Sequence, residues 1–96
     1  MEIMVGHCIL KCFEDGKILR RTKTSEWREI PNRINHIKGY NVIMIEKKQY
    51  MRSHLIAHAF LEFDLNNKEY IVCHLDQNKI NASKDNLEVR SKKSKK

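Results

Sequence analysis

Apolar and polar residues alternate in short blocks along this chain, and each block is a few residues long. Residues 7–13 (HCILKCF) are largely apolar, Glu14-Asp15-Gly16-Lys17 are polar, and Ile18-Leu19 resume the apolar pattern. That order predicts a β-hairpin, because Asp-Gly supplies the positive φ that a tight hairpin turn needs. Residues 20–38 are polar and basic, interrupted by Trp27, Ile30, Ile34 and Ile37. A loop is expected there, with a short strand over 27–30 that Pro31 ends. Gly39-Tyr40 opens another strand with Val42, Ile43, Met44 and Ile45 as its body. Glu46-Lys47-Lys48 then turns the chain, and Gln49-Tyr50-Met51-Arg52 returns as the next strand.

From Ser53 the period changes. Leu55, Ile56, Ala59 and Phe60 recur at helical spacing, which predicts a helix over about residues 53–61. Ser53 is its expected N-cap, since a hydroxyl there accepts from the free amides of the first turn. A polar loop with Asp64, Asn66 and Asn67 follows, then the β-branched run Tyr70-Ile71-Val72-Cys73, a loop over 76–85, and a short strand at Leu87-Glu88-Val89. The fold class is α+β, with a small N-terminal antiparallel sheet and one central helix. At 96 residues the chain suits a single domain. It divides into a β-rich part (1–52), the helix with the C-terminal strands (53–89) and a basic tail (90–96). A domain this small has a thin core, so Trp27 and the methionines Met1, Met4, Met44 and Met51 are expected inside.

Charge adds a partner to this picture. Nineteen Lys and Arg against twelve Asp and Glu give a net charge of +7. Residues 90–96 (RSKKSKK) contribute much of that excess. Arg90, Lys92, Lys93, Lys95 and Lys96 read as a phosphate-binding tail, with a solvated terminus as the plain alternative. Arg28, Arg33, Lys38 and Lys79 are further candidates for a nucleic-acid backbone. DNA is the expected partner, with a host protein or nucleoprotein as the other possibility. No apolar run spans a bilayer, and no amphipathic helix or lipidation signal accompanies the basic run, so no membrane partner is expected. Cys8, Cys12 and Cys73 are odd in number, which argues against a disulfide framework and for a reducing, cytoplasmic location.

The segment richest in chemistry is residues 72–89, VCHLDQNKINASKDNLEV. A histidine closes a strand, an Asn- and Asp-rich loop follows, and Asn86-Leu87-Glu88 leads into the next strand. Asn and Asp side chains bond loop backbone, and a loop held that way pins an imidazole between two strands.

This segment resembles the HNH (ββα-metal) motif of phage and intron-encoded homing endonucleases. Val72, His74, Asp76, Asn78, Lys79, Asn81, Asn86, Leu87 and Glu88 match that pattern. Gly39-Tyr40 and the run His54-Leu55-Ile56-Ala57-His58-Ala59-Phe60 resemble the strand and helix that precede it in the family. Phe13 to Ile18 and Trp27 to Ile30 resemble the small sheet fused before them. The resemblance implies an HNH-like ββ(α) element and a phage or mobile-element origin. It implies that His74 acts as general base on a phosphodiester, and that Asn86 orients the imidazole or braces the loop. It also implies one divalent cation, Mg²⁺, Mn²⁺ or Zn²⁺, held by the residue before the histidine and by a residue on a final helix.

The chain departs from the family at those cation positions. Cys73 stands where the family has His, Asn or Asp, and a thiolate suits Zn²⁺ better than Mg²⁺. The final helix is truncated or missing, and its ligand position falls near Lys95. An ammonium cannot ligate a cation, so a chain without a bound metal is the alternative. Three functions fit these residues. One is a basic nucleic-acid-binding protein of HNH ancestry. Another is a metal-dependent nickase using His74. The last is an inactive HNH-like protein that binds and modulates a host protein or nucleoprotein.

Overall fold

A computed structural model describes residues 1–21, 26–66 and 69–91. Strands β1 (Glu2–Val5), β2 (Cys8–Cys12), β3 (Ile18–Arg21) and β4 (Trp27–Glu29) form an antiparallel sheet in that order. Strands β5 (Val42–Ile45) and β6 (Lys48–Met51) pair as a hairpin that leads into helix α1 (Arg52–Phe60). Strands β7 (Tyr70–His74) and β8 (Leu87–Ser91) form a second hairpin, whose connection includes a single 3₁₀ turn at Lys84–Asn86. The fold is therefore α+β with a four-stranded antiparallel sheet and one α-helix among the described residues. No helix there is long and apolar enough to cross a membrane.

Local chemistry explains most of these elements. Glu46 and Lys47 both take positive φ (51° and 72°), which matches the two-residue turn that tight hairpins favour. The β2–β3 turn closes through Phe13 N to Lys17 O (2.9 Å) and Gly16 N to Phe13 O (3.0 Å). Gly16 has φ +96°, and a Cβ there would lie 2.9 Å from the Ala82 backbone carbon. Only glycine allows both the turn and that approach. The contact docks the turn on the β7–β8 connection, where Lys84 N also bonds Glu14 O (2.8 Å).

The core gathers one residue set from each piece. Val5, Leu10, Cys12 and Ile18 come from the sheet, Ile43 and Ile45 from the first hairpin, Leu55, Ile56 and Ala59 from α1, and Ala82 and Leu87 from the C-terminal part. Fully burying an aliphatic side chain of this kind contributes roughly 1.5–3 kcal/mol. Burial also pushes the Cys12 thiol up to about 11. Leu55, Ile56 and Ala59 face the core as their spacing predicts, with Phe60 half-buried at its margin.

Several expectations need correction. Strand β1 was not foreseen, because only Val5 of its four residues is buried and the apolar pattern there is faint. Met1, Met4 and Met44 are exposed, and Met51 is half-buried. Trp27 lies half-buried on the sheet with the Lys11 ammonium 4.7 Å above its ring, a cation–π contact, and is outside the core cluster. Aliphatic side chains from four pieces already fill the small interior. Ser53 is not the N-cap. Met51 holds that place without a side-chain bond, and the buried Ser53 Oγ has no hydrogen-bond partner.

The reason lies one residue earlier. Arg52 was expected to end a strand, yet it opens the helix and is only 2% exposed. Its Nε donates to Asn41 Oδ1 (2.8 Å), its Nη1 to Gly16 O (2.7 Å), and its Nη2 to Ile30 O. Its amide donates to Asn41 O (3.0 Å). The planar guanidinium thus joins the β2–β3 turn, the exit of β4 and the start of α1. Replacing Arg52 with Met should leave these acceptors unpaired and cost about 3 kcal/mol or more. Lys should not rescue it, since an ammonium cannot reproduce the fork. Urea unfolding of both variants checks this, and a midpoint equal to the parent's would contradict it.

Candidate functional site

Two loops build the surface around His74. The first, residues 31–41, connects β4 to β5, and the second, residues 75–86, connects β7 to β8. Each is shaped by its own Asn and Asp side chains, and cross-bonds join them.

The second loop closes on Asp76. Asp76 Oδ1 accepts from the Asn78 amide (2.8 Å) and from Asn86 Nδ2 (2.8 Å), and Oδ2 accepts from Asn81 Nδ2 (2.9 Å). Asn86 Oδ1 accepts from the Asp76 amide (3.0 Å), and Asn86 Nδ2 also reaches Asn81 O (2.9 Å). Asn78 Oδ1 and Asn81 Oδ1 accept from amides two residues on, Ile80 and Ser83. Backbone and side-chain bonds from Asn78, Asn81 and Asn86 hold the Asp76 carboxyl below its usual range. The side chain of Asn86 therefore braces this loop.

The first loop is pinned by Asn35 and Asn41. Asn35 bonds Val42 through both its amide group (2.9 Å) and its carbonyl oxygen (2.7 Å), and Asn41 Nδ2 donates to Arg33 O (2.7 Å). Asn32 Nδ2 reaches Ile80 O (2.5 Å), and Lys79 Nζ donates to Lys38 O (2.8 Å), so the two loops form one surface. Lys79 Nζ also lies 5.1 Å from the Tyr40 ring centroid. Tyr40 in turn stands between His36 (6.1 Å) and His74 (6.4 Å), ring centroid to ring centroid.

His74 ends β7 opposite Leu87. Neighbouring residues of a strand face opposite ways, so His74, Val72 and Leu87 share the inner face while Cys73 and Glu88 share the outer one. The His74 Nε2 is closed off from solvent and has no hydrogen-bond partner. Burial lowers the pKa of His74; Asp76 opposes that shift and Lys79 adds to it. His54, on the first turn of α1 with its ring 5.2 Å from that of Phe63, is also lowered, first by burial and then by the charge of His74. Burial therefore favours the neutral form of both imidazoles.

Cys73 and His74 diverge, and among the described residues no three His, Cys, Asp or Glu side chains gather to hold a metal ion. His58, one turn after His54, places Nδ1 2.7 Å from Phe63 O.

The candidate basic residues are spread over several places. Arg33, Lys38 and Lys79 are exposed on the joined loops beside His74. Arg28 is exposed on β4 opposite Arg20. Arg90 lies on the outer face of the β7–β8 hairpin and bonds Glu88 (2.7 Å), which offsets its charge. Lys92, Lys93, Lys95 and Lys96 lie outside the described residues. Sequence reasoning did not single out Asn32 as part of this surface, nor Asp76 as the centre of its loop. The spacing of Asp76, Asn78, Asn81 and Asn86 carried a signal for the last, since each can bond backbone two residues on. Comparison with protein families, curated proteins and solved structures found no match to this chain.

Two pH windows follow from these groups. The folded pKa values of His54 and His74 are lowered, so their neutral forms cost nothing above the unfolded value of about 6.5, and stability falls as pH drops from there toward the folded values. Asp76 is depressed, so its contribution is present above about 3.9 and is lost as pH falls through its folded pKa. Thermal melts across pH 3–8 should show the first decline, and a His74→Leu variant should show less of it. A melting temperature that rises between pH 7 and pH 5 would contradict the buried neutral imidazoles.

Proposed function

We propose that this chain is a small basic nucleic-acid-binding protein of HNH-endonuclease ancestry that holds duplex DNA through its joined loops without cutting it. The observation that carries this reading is the rigid surface formed by residues 31–41 and 75–86. It presents Arg33, Lys38 and Lys79; residues 31–41 contain no acidic side chain, and of the two in residues 75–86 Asp76 is engaged by Asn78, Asn81 and Asn86 and Asp85 pairs with Lys84. Positive side chains carried on braced loops suit a phosphate backbone, which supplies most of the affinity of sequence-independent binding.

Support for the ancestry is the motif of residues 72–89 together with its arrangement as a strand, a cross-braced loop and a strand. Support for binding without cleavage is the state of His74. A general base must reach the proton it takes, and here Nε2 is sealed from solvent. Cys73 points to the other face of the hairpin. A nickase remains the second reading, because burial favours the neutral form of His74 beside a braced loop, and a base must be neutral to take a proton.

Binding to a duplex across 50–200 mM salt tests the first reading. The logarithm of affinity should fall with the logarithm of salt, and Arg33→Ala with Lys38→Ala should make the slope shallower by about 2. A slope near zero for the parent chain would remove phosphate neutralisation from the account. Plasmid relaxation with Mg²⁺, Mn²⁺ or Zn²⁺ separates the two readings. The parent should nick no more than His74→Ala, whereas nicking by the parent alone would establish the nickase.

A further inference from the structure

The first loop carries a hydrogen-bonded β-turn at its tip. His36 O accepts from the Gly39 amide (2.9 Å), and Asn35 N bonds Tyr40 O (3.1 Å). Gly39 has φ +90°, and Lys38 N donates to His36 Nδ1 (3.1 Å). The tip therefore has Ile37 and Lys38 as its two central residues. Below it, the loop is fixed by Asn35, Asn41 and the Lys79 ammonium on Lys38 O. Ile37 is 97% exposed, and Ile34 is 62% exposed on the same loop.

Isolated apolar side chains on a surface are ordinary. This one differs in three respects. It is a branched aliphatic at the tip of a braced turn. Its immediate neighbours in sequence are His36 and Lys38, with Arg33 and Lys79 close by in the joined loops. It also makes no core contact, so the rigid loop gains nothing from it in the free protein.

We propose that Ile37 is a wedge that enters between base pairs of duplex DNA from the minor groove, while Arg33 and Lys38 hold the flanking phosphates. This deepens the DNA-binding reading and rests on it. Aliphatic wedges of this kind unstack a base step and kink the duplex, and flanking cations draw the phosphates in. A single-stranded partner fits less well, because an aliphatic side chain has no π-face for a base to stack on. A fixed tip also lowers the ordering cost of insertion. Flexible pyrimidine–purine steps should be entered more readily than stiff A-tracts.

The test uses the full chain with short duplexes that carry 2-aminopurine next to a central TA step or within an A-tract, and end-labelled duplexes that report bending. The parent should raise 2-aminopurine fluorescence at the TA step more than in the A-tract, and should bend the duplex by about 20° or more. Ile37→Ala and Ile37→Ser should lose both signals, while low-salt affinity falls by less than about tenfold because phosphate contacts remain. Ile37→Leu should retain them. Because Ile37 touches no core residue, circular dichroism of the variants should match the parent. Parent binding with signals unchanged in Ile37→Ala overturns the wedge and leaves DNA binding standing. No binding by the parent at low salt overturns the DNA reading and the wedge with it. Ile37-dependent capture of anionic vesicles or single-stranded RNA, with no signal on duplex, overturns the choice of partner.

Discussion

A cation buried without a carboxylate against it has to be surrounded by oriented oxygens, and Arg52 imposes that condition on the whole molecule. Its guanidinium draws in the carbonyls of Gly16 and Ile30 and the side chain of Asn41. Burial lowers its pKa, with the charge of Glu29 acting in the opposite direction. Each acceptor belongs to a different segment, so satisfying one arginine fixes the sheet, the first loop and the helix relative to one another. Asn41 carries the constraint further, because its amide group also donates to Pro31 O and Arg33 O. The loop that bears Arg33, Ile37 and Lys38 is thus shaped from its base.

A second constraint acts at the other end of the candidate surface. The 75–86 loop is closed around Asp76, and Gly16 meets it at Ala82. The same β2–β3 turn therefore offers a carbonyl to Arg52 on one side and a seat for the His74 loop on the other. Asn32 and Lys79 then join the loops directly. The candidate surface is a consequence of how three loops satisfy their own polar groups, with a small aliphatic core beneath them.

These relations explain which features were legible in the sequence. Asp15-Gly16, Pro31 and the spacing of Leu55, Ile56 and Ala59 act through neighbouring residues, and the elements they predict are present. The Asn and Asp run after His74 was legible as a self-bonding loop for the same reason. Arg52 was not, because its acceptors stand 11, 22 and 36 residues away and leave no local pattern. Ser53 reads as a cap only if Arg52 ends a strand, and α1 begins at Arg52. The divergence of Cys73 from His74 was legible in principle, since strand alternation alone separates adjacent residues. Exposure of Met1, Met4, Met44 and Ile37 was not, because an apolar residue carries no mark of which side of a turn it will take.

The central claim is that the joined loops form the nucleic-acid surface. Amide chemical-shift mapping of the full chain against a short duplex at low salt tests it most directly. The account predicts that perturbed amides concentrate at 33–40 and 74–81, with little change at Ile71 or at the Glu46-Lys47 turn. Shifts centred on those distant positions, or none at saturating duplex, would contradict it.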